Sequence, residues 1–266
     1  MKRAAFLLLL LLAACGRHAP QEKVLRVCAD PNNLPFSNRA GEGFENRLAQ
    51  LIAHDLGAQL HYVWWAQRRG NLRETLKAGR CDLVPGVGST IEGIATSTPY
   101  YRSSYMVVTR PGSGLDTLES FDDPRLKTLR IGVQLIGDDG VNTPPAHALM
   151  HRGIVDNVRG FMVQGDYRRK YPQDAILDAL ASGTIDVAYV WGPVAGYYAL
   201  RHPGAVAIRP VSPAFDGPQL PLVFDVSVGV RKDDGDLLHR VDAVLRARQP
   251  AIQKLLRRYD VPLVAR

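Results

Sequence analysis

The chain reads as two similar α/β lobes facing each other across a cleft, and a repeated pair of motifs carries that reading. Leu25-Arg26-Val27 is followed by Leu76-Lys77-Ala78-Gly79-Arg80-Cys81-Asp82-Leu83, and Leu129-Arg130-Ile131 by Leu180-Ala181-Ser182-Gly183-Thr184-Ile185-Asp186-Val187. Leu25 to Leu76 and Leu129 to Leu180 are both spacings of 51 residues. Each unit opens on an apolar β-type run, passes through helical patterning and reaches a Gly-x-x-Asp stop before a second apolar run, which is βαβ logic. Open α/β sheets place ligands at the carboxyl ends of their strands, so two facing lobes make a binding cleft.

Residues 1–14 have a basic start, six consecutive leucines and small residues before Cys15, the pattern of a secretory signal too short to span a bilayer. Leu12-Ala13-Ala14-Cys15 resembles a bacterial lipobox, which implies a lipid on Cys15 and a membrane contact through that anchor alone. Gly16 after the cysteine implies the outer membrane by the same resemblance, and an ordinary signal with an incidental cysteine is the alternative. Residues 15–24 form a tether. Lobe 1 is expected over 25–110 plus 223–266, and lobe 2 over 111–222.

Within lobe 1, 25–29 reads as a strand, 30–35 as a turn and 43–56 as an amphipathic helix stopped by Gly57. A strand over 59–64, a helix over 72–78 ending at Gly79 and a strand over 82–87 follow. The run 104–109 reads as the first crossing between lobes. In lobe 2, 129–133 is a strand, and Thr143 can cap a helix whose first turn holds Pro144 and Pro145. Segments 158–164, 175–181 and 185–191 continue as strand, helix and strand. The return crossing is expected over 222–231, and 237–259 reads as one or two helices divided or started by Pro250.

The formal charge of +7 falls to +5 without Lys2 and Arg3, and the arginines are scattered. Charge therefore argues for solubility and an acidic partner, while the absence of an aromatic-interleaved basic motif argues against nucleic acid. With Cys15 assigned to lipid, Cys28 and Cys81 are the remaining pair, and an oxidising compartment makes a disulfide between them the first expectation. Two separate buried thiols are the other reading, because a bridge needs Cα atoms within about 7 Å.

Gly43-Phe44-Glu45, the Leu76 to Leu83 stretch and Thr98-Pro99-Tyr100-Tyr101 resemble the family 3 extracellular solute-binding proteins. That resemblance implies the type II periplasmic-binding-protein fold from Leu25 to the C-terminus. Amino-acid binders of the family carry an arginine for the ligand carboxylate, an aspartate for its ammonium and small hydroxyl residues at the second-lobe helix entrance. The matching positions here are the arginine-free stretch 88–97, Trp191-Gly192-Pro193 and Gly137-Asp138-Asp139-Gly140. Trp64-Trp65-Ala66-Gln67-Arg68-Arg69-Gly70, Gly132-Val133-Gln134-Leu135-Ile136-Gly137-Asp138-Asp139-Gly140, Asn142-Thr143-Pro144-Pro145-Ala146-His147-Ala148-Leu149 and Val190-Trp191-Gly192-Pro193-Val194-Ala195-Gly196-Tyr197 are similar to the solute-binding-like accessory proteins of quinoprotein methanol dehydrogenases. The likeness implies a periplasmic protein, itself without a cofactor, that helps mature or activate a PQQ-dependent alcohol dehydrogenase. Asn71, the proline-free Gly88-Ser89-Thr90 and the lipobox depart from that subfamily's pattern.

The expected cleft or partner-binding set is Asp30, Asn33, Trp64, Trp65, Arg68, Tyr100, Tyr101, Arg102, Gln134, Asp138, Asp139, Trp191 and Tyr197. Aromatic side chains near strand ends suit protein hot spots or an apolar ligand, and their competing role is packing of lobes and hinge. Trp191 leads because it replaces a charged contact. Asp138 and Asp139 lack a third nearby metal ligand, and His147 and His151, spaced i, i+4, lack one as well. No nucleophile elbow, phosphate loop or triad order is visible. An enzyme reading, by likeness to dehydratases on this fold, requires a buried cleft acid, for which Glu45 and Glu92 are the candidates. The other alternative is a transporter receptor for a small molecule other than an amino acid.

Overall fold

The computed structural model describes residues 23–68, 70–136 and 142–265. Cys15, Arg69, Asp138 and Asp139 lie outside the described residues.

Strand β1 (Val24–Ala29) starts lobe 1 with Leu25 and Val27 buried. Helix α1 (Phe44–Asp55) turns Phe44, Leu48 and Ile52 inward at near-helical spacing, then returns the chain to β2 (Gln59–Trp64), parallel to β1. The helix expected over 72–78 is only a single turn at Asn71–Glu74. The Thr75 hydroxyl donates to the Asn71 carbonyl at 2.5 Å, a side-chain bond that competes with helix propagation. Strand β3 (Leu83–Gly88) follows beside β1.

Strand β4 (Tyr101–Thr109) is the first crossing and is longer than the expected 104–109. Lobe 2 then supplies β5 (Ile131–Leu135), α2 (Pro144–His151), β6 (Val158–Met162), α3 (Ala175–Ala181), β7 (Val187–Trp191), α4 (Gly192–Arg201) and β8 (Ala207–Pro210). The return crossing is β9 (Val223–Val230), and the chain ends in lobe 1 with α5 (Gly235–Ala247) and α6 (Gln249–Arg258), Pro250 sitting in the first turn of α6. Thr143 precedes α2 in extended conformation but does not cap it. Pro144 and Pro145 remove two first-turn donors, and the Thr143 hydroxyl donates instead to the Gln134 carbonyl at 2.6 Å.

Among the described residues, one sheet runs through both lobes in the order β2-β1-β3-β9-β4-β7-β5-β6, with β8 also paired to β4. Tyr101 to Ser104 pair antiparallel with Val226 to Val223, whereas Tyr105 to Thr109 pair with Trp191 to Val187. The exchange of strand partners thus falls within β4, between Ser104 and Tyr105. Each lobe has its own apolar core, one built around Phe44, Leu48, Ile52 and Val228, the other around Val107, Ile131, Leu149 and Tyr189.

The repeated motifs fold into the same device twice. Arg26 donates to both carboxylate oxygens of Asp82, at 3.1 Å from Nε and 2.5 Å from Nη2, and Arg130 does so to Asp186 at 2.9 and 2.6 Å. A second arginine stands just beyond each crossing strand: Arg231 lies 3.6 Å from Asp82 and Arg110 lies 3.5 Å from Asp186. The paired guanidinium holds the Asp186 carboxyl down to about 2 against the cost of its burial. Cys28, in β1, and Cys81, just ahead of β3, are joined by a disulfide with Cα atoms 5.6 Å apart.

Candidate functional site

A cavity of about 570 Å³ lies between the lobes at the hinge. Lobe 1 contributes Asn33, Phe36, Glu45 and Gln67, lobe 2 contributes Gln134, Ile136, Thr143 and Gln173, and the crossing strands and β7 contribute Tyr101, Tyr105, Phe224 and Trp191. Trp191 is the aromatic centre. Its ring meets Tyr105 at 5.3 Å and Phe224 at 5.9 Å, both edge to face, and its indole bonds to the Tyr101 hydroxyl.

A ladder of amides crosses the cavity edge from one lobe to the other. Asn33 donates to Gln67 at 3.0 Å and accepts from Gln173; Gln134 donates to Gln173 at 3.2 Å and accepts from the Trp191 backbone N–H at 2.9 Å. Beside it, the Tyr167 hydroxyl donates to Asp30, and the Asn32 amide donates to the Tyr167 and Arg169 carbonyls at 3.0 Å each. Asp30 is 1% exposed and also accepts the backbone N–H groups of Asn32 at 2.8 Å and Gln67 at 2.7 Å. Buried amides leave their partners unsatisfied when a neighbour withdraws, so this seam resists opening.

Glu45 is the one Asp, Glu, Lys, Arg or His side chain in the cavity wall among the described residues. Its carboxyl is 2% exposed and rests against Gly86, where an added Cβ would sit only 2.2 Å from Oε1. The Tyr100 hydroxyl donates to Oε1 at 3.5 Å. Burial, opposed by that bond and reinforced by the Asp30 charge, pushes the Glu45 carboxyl up to about 8.

Of the residues expected at the site, Asn33, Tyr101, Gln134 and Trp191 line the cavity. Asp30 and Tyr100 lie behind its wall, bonded to Tyr167 and Glu45. Arg68 is exposed at the rim, 6.0 Å from the Tyr167 ring. Trp64 and Trp65 are elsewhere: Trp64 stacks on Tyr62 at 4.6 Å beneath Arg39, and Trp65 lies beneath Arg80. Trp64 ends β2 and Trp65 follows it, and β2 is the outer edge strand of lobe 1. Arg102 leaves the opposite face of β4 from Tyr101 and pairs with Asp225 at 3.9 Å. Tyr197 faces Tyr259 at 5.8 Å with the Arg201 guanidinium 4.7 Å from its ring.

The reading from sequence missed Phe36, Gln67, Tyr105, Thr143, Gln173 and Phe224 as wall residues. Tyr105 was within reach, because period-2 alternation along β4 puts it on the face of Tyr101. His147 and His151 have ring centroids 6.4 Å apart, and Asp216, 3.7 Å from His151, is already taken by Arg152 at 2.7 Å.

A model of the bacterial extracellular solute-binding proteins, family 3, matches residues 25–260. Protein MoxJ of Methylorubrum extorquens is 32% identical over 92% of this chain and 83% of its own length. Protein MoxJ of Paracoccus denitrificans is 28% identical over 90% of this chain and 89% of its own. The crystal structure of periplasmic binding protein XoxJ from Methylobacterium extorquens AM1 superposes with a TM-score of 0.73 at 36% identity, covering 91% of this chain and all of that one.

Proposed function

For a chain that belongs to the family 3 bacterial extracellular solute-binding proteins, we propose a non-catalytic role as a periplasmic accessory protein that binds and assists maturation or activation of a PQQ-dependent methanol or alcohol dehydrogenase. The motifs resembling quinoprotein-associated accessory proteins and the similarity to MoxJ and XoxJ support this reading. The observation that carries it is the cleft wall. A receptor for free amino acids needs an anion-binding guanidinium and a cation-binding carboxylate, and this wall offers rings, amides and hydroxyls around one Glu45 carboxyl. Such a surface suits an uncharged, partly aromatic segment of a protein, with Trp191 as its anchor. The lipid on Cys15 holds the protein at the outer membrane.

The test is titration of purified Cys15→Ser protein with the dehydrogenase and with candidate small molecules. Binding to the dehydrogenase is expected, weakened by Trp191→Ala by about 2 kcal/mol, roughly 30-fold. Micromolar closure on a solute with no binding to the dehydrogenase would establish instead the second reading, a transporter receptor for an uncharged small molecule. The cavity volume, which suits a small ligand, favours that alternative. A dehydratase-like reading has Glu45 in its support, yet no second acid or base stands in the described wall to share proton transfer with it.

A further inference from the structure

Four cationic side chains cluster on the outside of α6 and the end of α5. Helix α6 buries Ile252 and Leu256, which turns Lys254, Arg257 and Arg258 outward, and Arg246 is exposed at the end of the neighbouring α5. Among the described residues none of these four has a carboxylate within ion-pair distance. The acids nearby are engaged: Asp55 is held by Arg248 at 2.6 Å and by His54 at 3.0 Å, and Glu42 accepts from Asn38 at 2.7 Å. Asp260 follows the helix end.

This face adjoins a groove of about 550 Å³ between α1 and α6. Its lining is half-buried Leu51 and Leu255 with Ala251, and it is flanked by Arg47, Arg258 and Tyr259. Among the described residues the Arg47 side chain bonds to neutral groups, Gln50 at 3.3 Å and the Tyr259 hydroxyl. Two guanidinium forks beside an apolar floor complement carboxylates interleaved with aliphatic side chains. An anionic bilayer fits less well. The exposed large apolar residues, among them Trp65, Met150 and Phe215, include none on α5 or α6, so this face has nothing to insert into lipid.

We propose that the groove between α1 and α6 is a docking site, separate from the cleft, for an acidic segment of a protein partner, with carboxylates on Arg47 and Arg258 and an aliphatic side chain against Leu51 and Leu255. The site does not depend on what the cleft binds. The probe is a fluorescein-labelled peptide of alternating Glu and Leu, titrated into Cys15→Ser protein by anisotropy, with a Lys-Leu peptide as control. The Glu-Leu peptide is expected to bind, and raising salt from about 0.05 to about 0.3 M should weaken it several-fold. Arg47→Glu with Arg258→Glu should weaken binding about tenfold or more, and the milder Arg47→Gln with Arg258→Gln should fall between. Trp191→Ala should leave it unchanged, which separates this site from the cleft. Equal affinity in the charge-reversed protein, equal binding of the Lys-Leu peptide, loss of binding in Trp191→Ala, or tighter binding to phosphatidylglycerol vesicles than to the peptide would each overturn the proposal.

Discussion

Glu45 shows how one side chain can set the pH behaviour of a lobe. Burial raises its folded-state titration to about 8, above the usual carboxylate range, so the folded chain retains a proton that the unfolded chain releases. The contribution is therefore full at low pH and is lost as pH rises from the unfolded value toward about 8. Glu45→Gln should flatten that dependence. Wild-type stability is expected to fall with a slope approaching about 1.4 kcal/mol per pH unit from this group, and chemical denaturation at several pH values would measure the difference. A slope unchanged in the variant would show that the buried acid is not its source. Glu45 was visible in the sequence as a carboxyl after Gly43-Phe44, but no motif announced its neighbours. Gly86 and Tyr100 come from other elements, so desolvation could not be read from the chain. Trp191, expected because it stands where a charged ligand contact would be, and Gln134, expected from its motif, both line the cavity because they sit near strand ends beside the hinge. Trp64 and Trp65 obey the same strand-end rule, yet β2 is at the sheet margin, and sheet order is not written in local pattern.

Elements in this chain are clamped by close backbone approach and by covalent linkage as well as by burial. Helix α4 packs through Gly196, where a Cβ would stand 1.8 Å from the Asp260 carbonyl oxygen on the segment after α6. That segment is also tied to β4, since the Ser103 hydroxyl donates to the Pro262 carbonyl at 2.6 Å and the Val264 N–H donates to the Arg102 carbonyl at 3.0 Å. Gly196→Ala should force the two apart and cost about 1–3 kcal/mol in thermal or chemical denaturation, whereas Gly235→Ala, with open space at its Cβ, should cost little. The Cys28 to Cys81 bridge closes a separation of 53 residues, and Cys28→Ser with Cys81→Ser is expected to cost roughly 2–4 kcal/mol. Intact-mass analysis before and after reduction checks the bridge itself. Element order was readable because Gly and Pro punctuate it, and Arg26 with Asp82 mirrors Arg130 with Asp186 because the repeat preserves a 56-residue spacing. The short turn at Asn71–Glu74 was not, since the Thr75 hydroxyl overrode a helical pattern.

At the scale of the whole molecule, the two lobes are fastened to each other by their own side chains. Asp30 with Tyr167, Asn32 with the 167–169 backbone, and the Asn33–Gln173–Gln134 ladder all join lobe 1 to lobe 2. Tyr167→Phe combined with Asn33→Ala should open the cleft, seen as an increased radius of gyration in solution scattering, while the wild-type chain should remain compact without added ligand. An unchanged radius in the double variant would show that the hinge alone sets lobe separation. The crossing strands add a consequence for the order in which the chain acquires its structure. Lobe 2 is a continuous stretch whose strand partners lie between Tyr105 and Pro210, whereas β3 must wait for β9, more than a hundred residues downstream. Contacts of long sequence separation close late, so the second lobe has all its strands in hand while β3 of the first, paired to β1, still lacks its other neighbour. In pulsed hydrogen exchange during refolding, amides of Ile131–Leu135 and Val187–Trp191 should gain protection before those of Leu83–Gly88. A protein delivered N-terminus first across a membrane would then hold its earliest-arriving lobe unfinished until its last strand emerges.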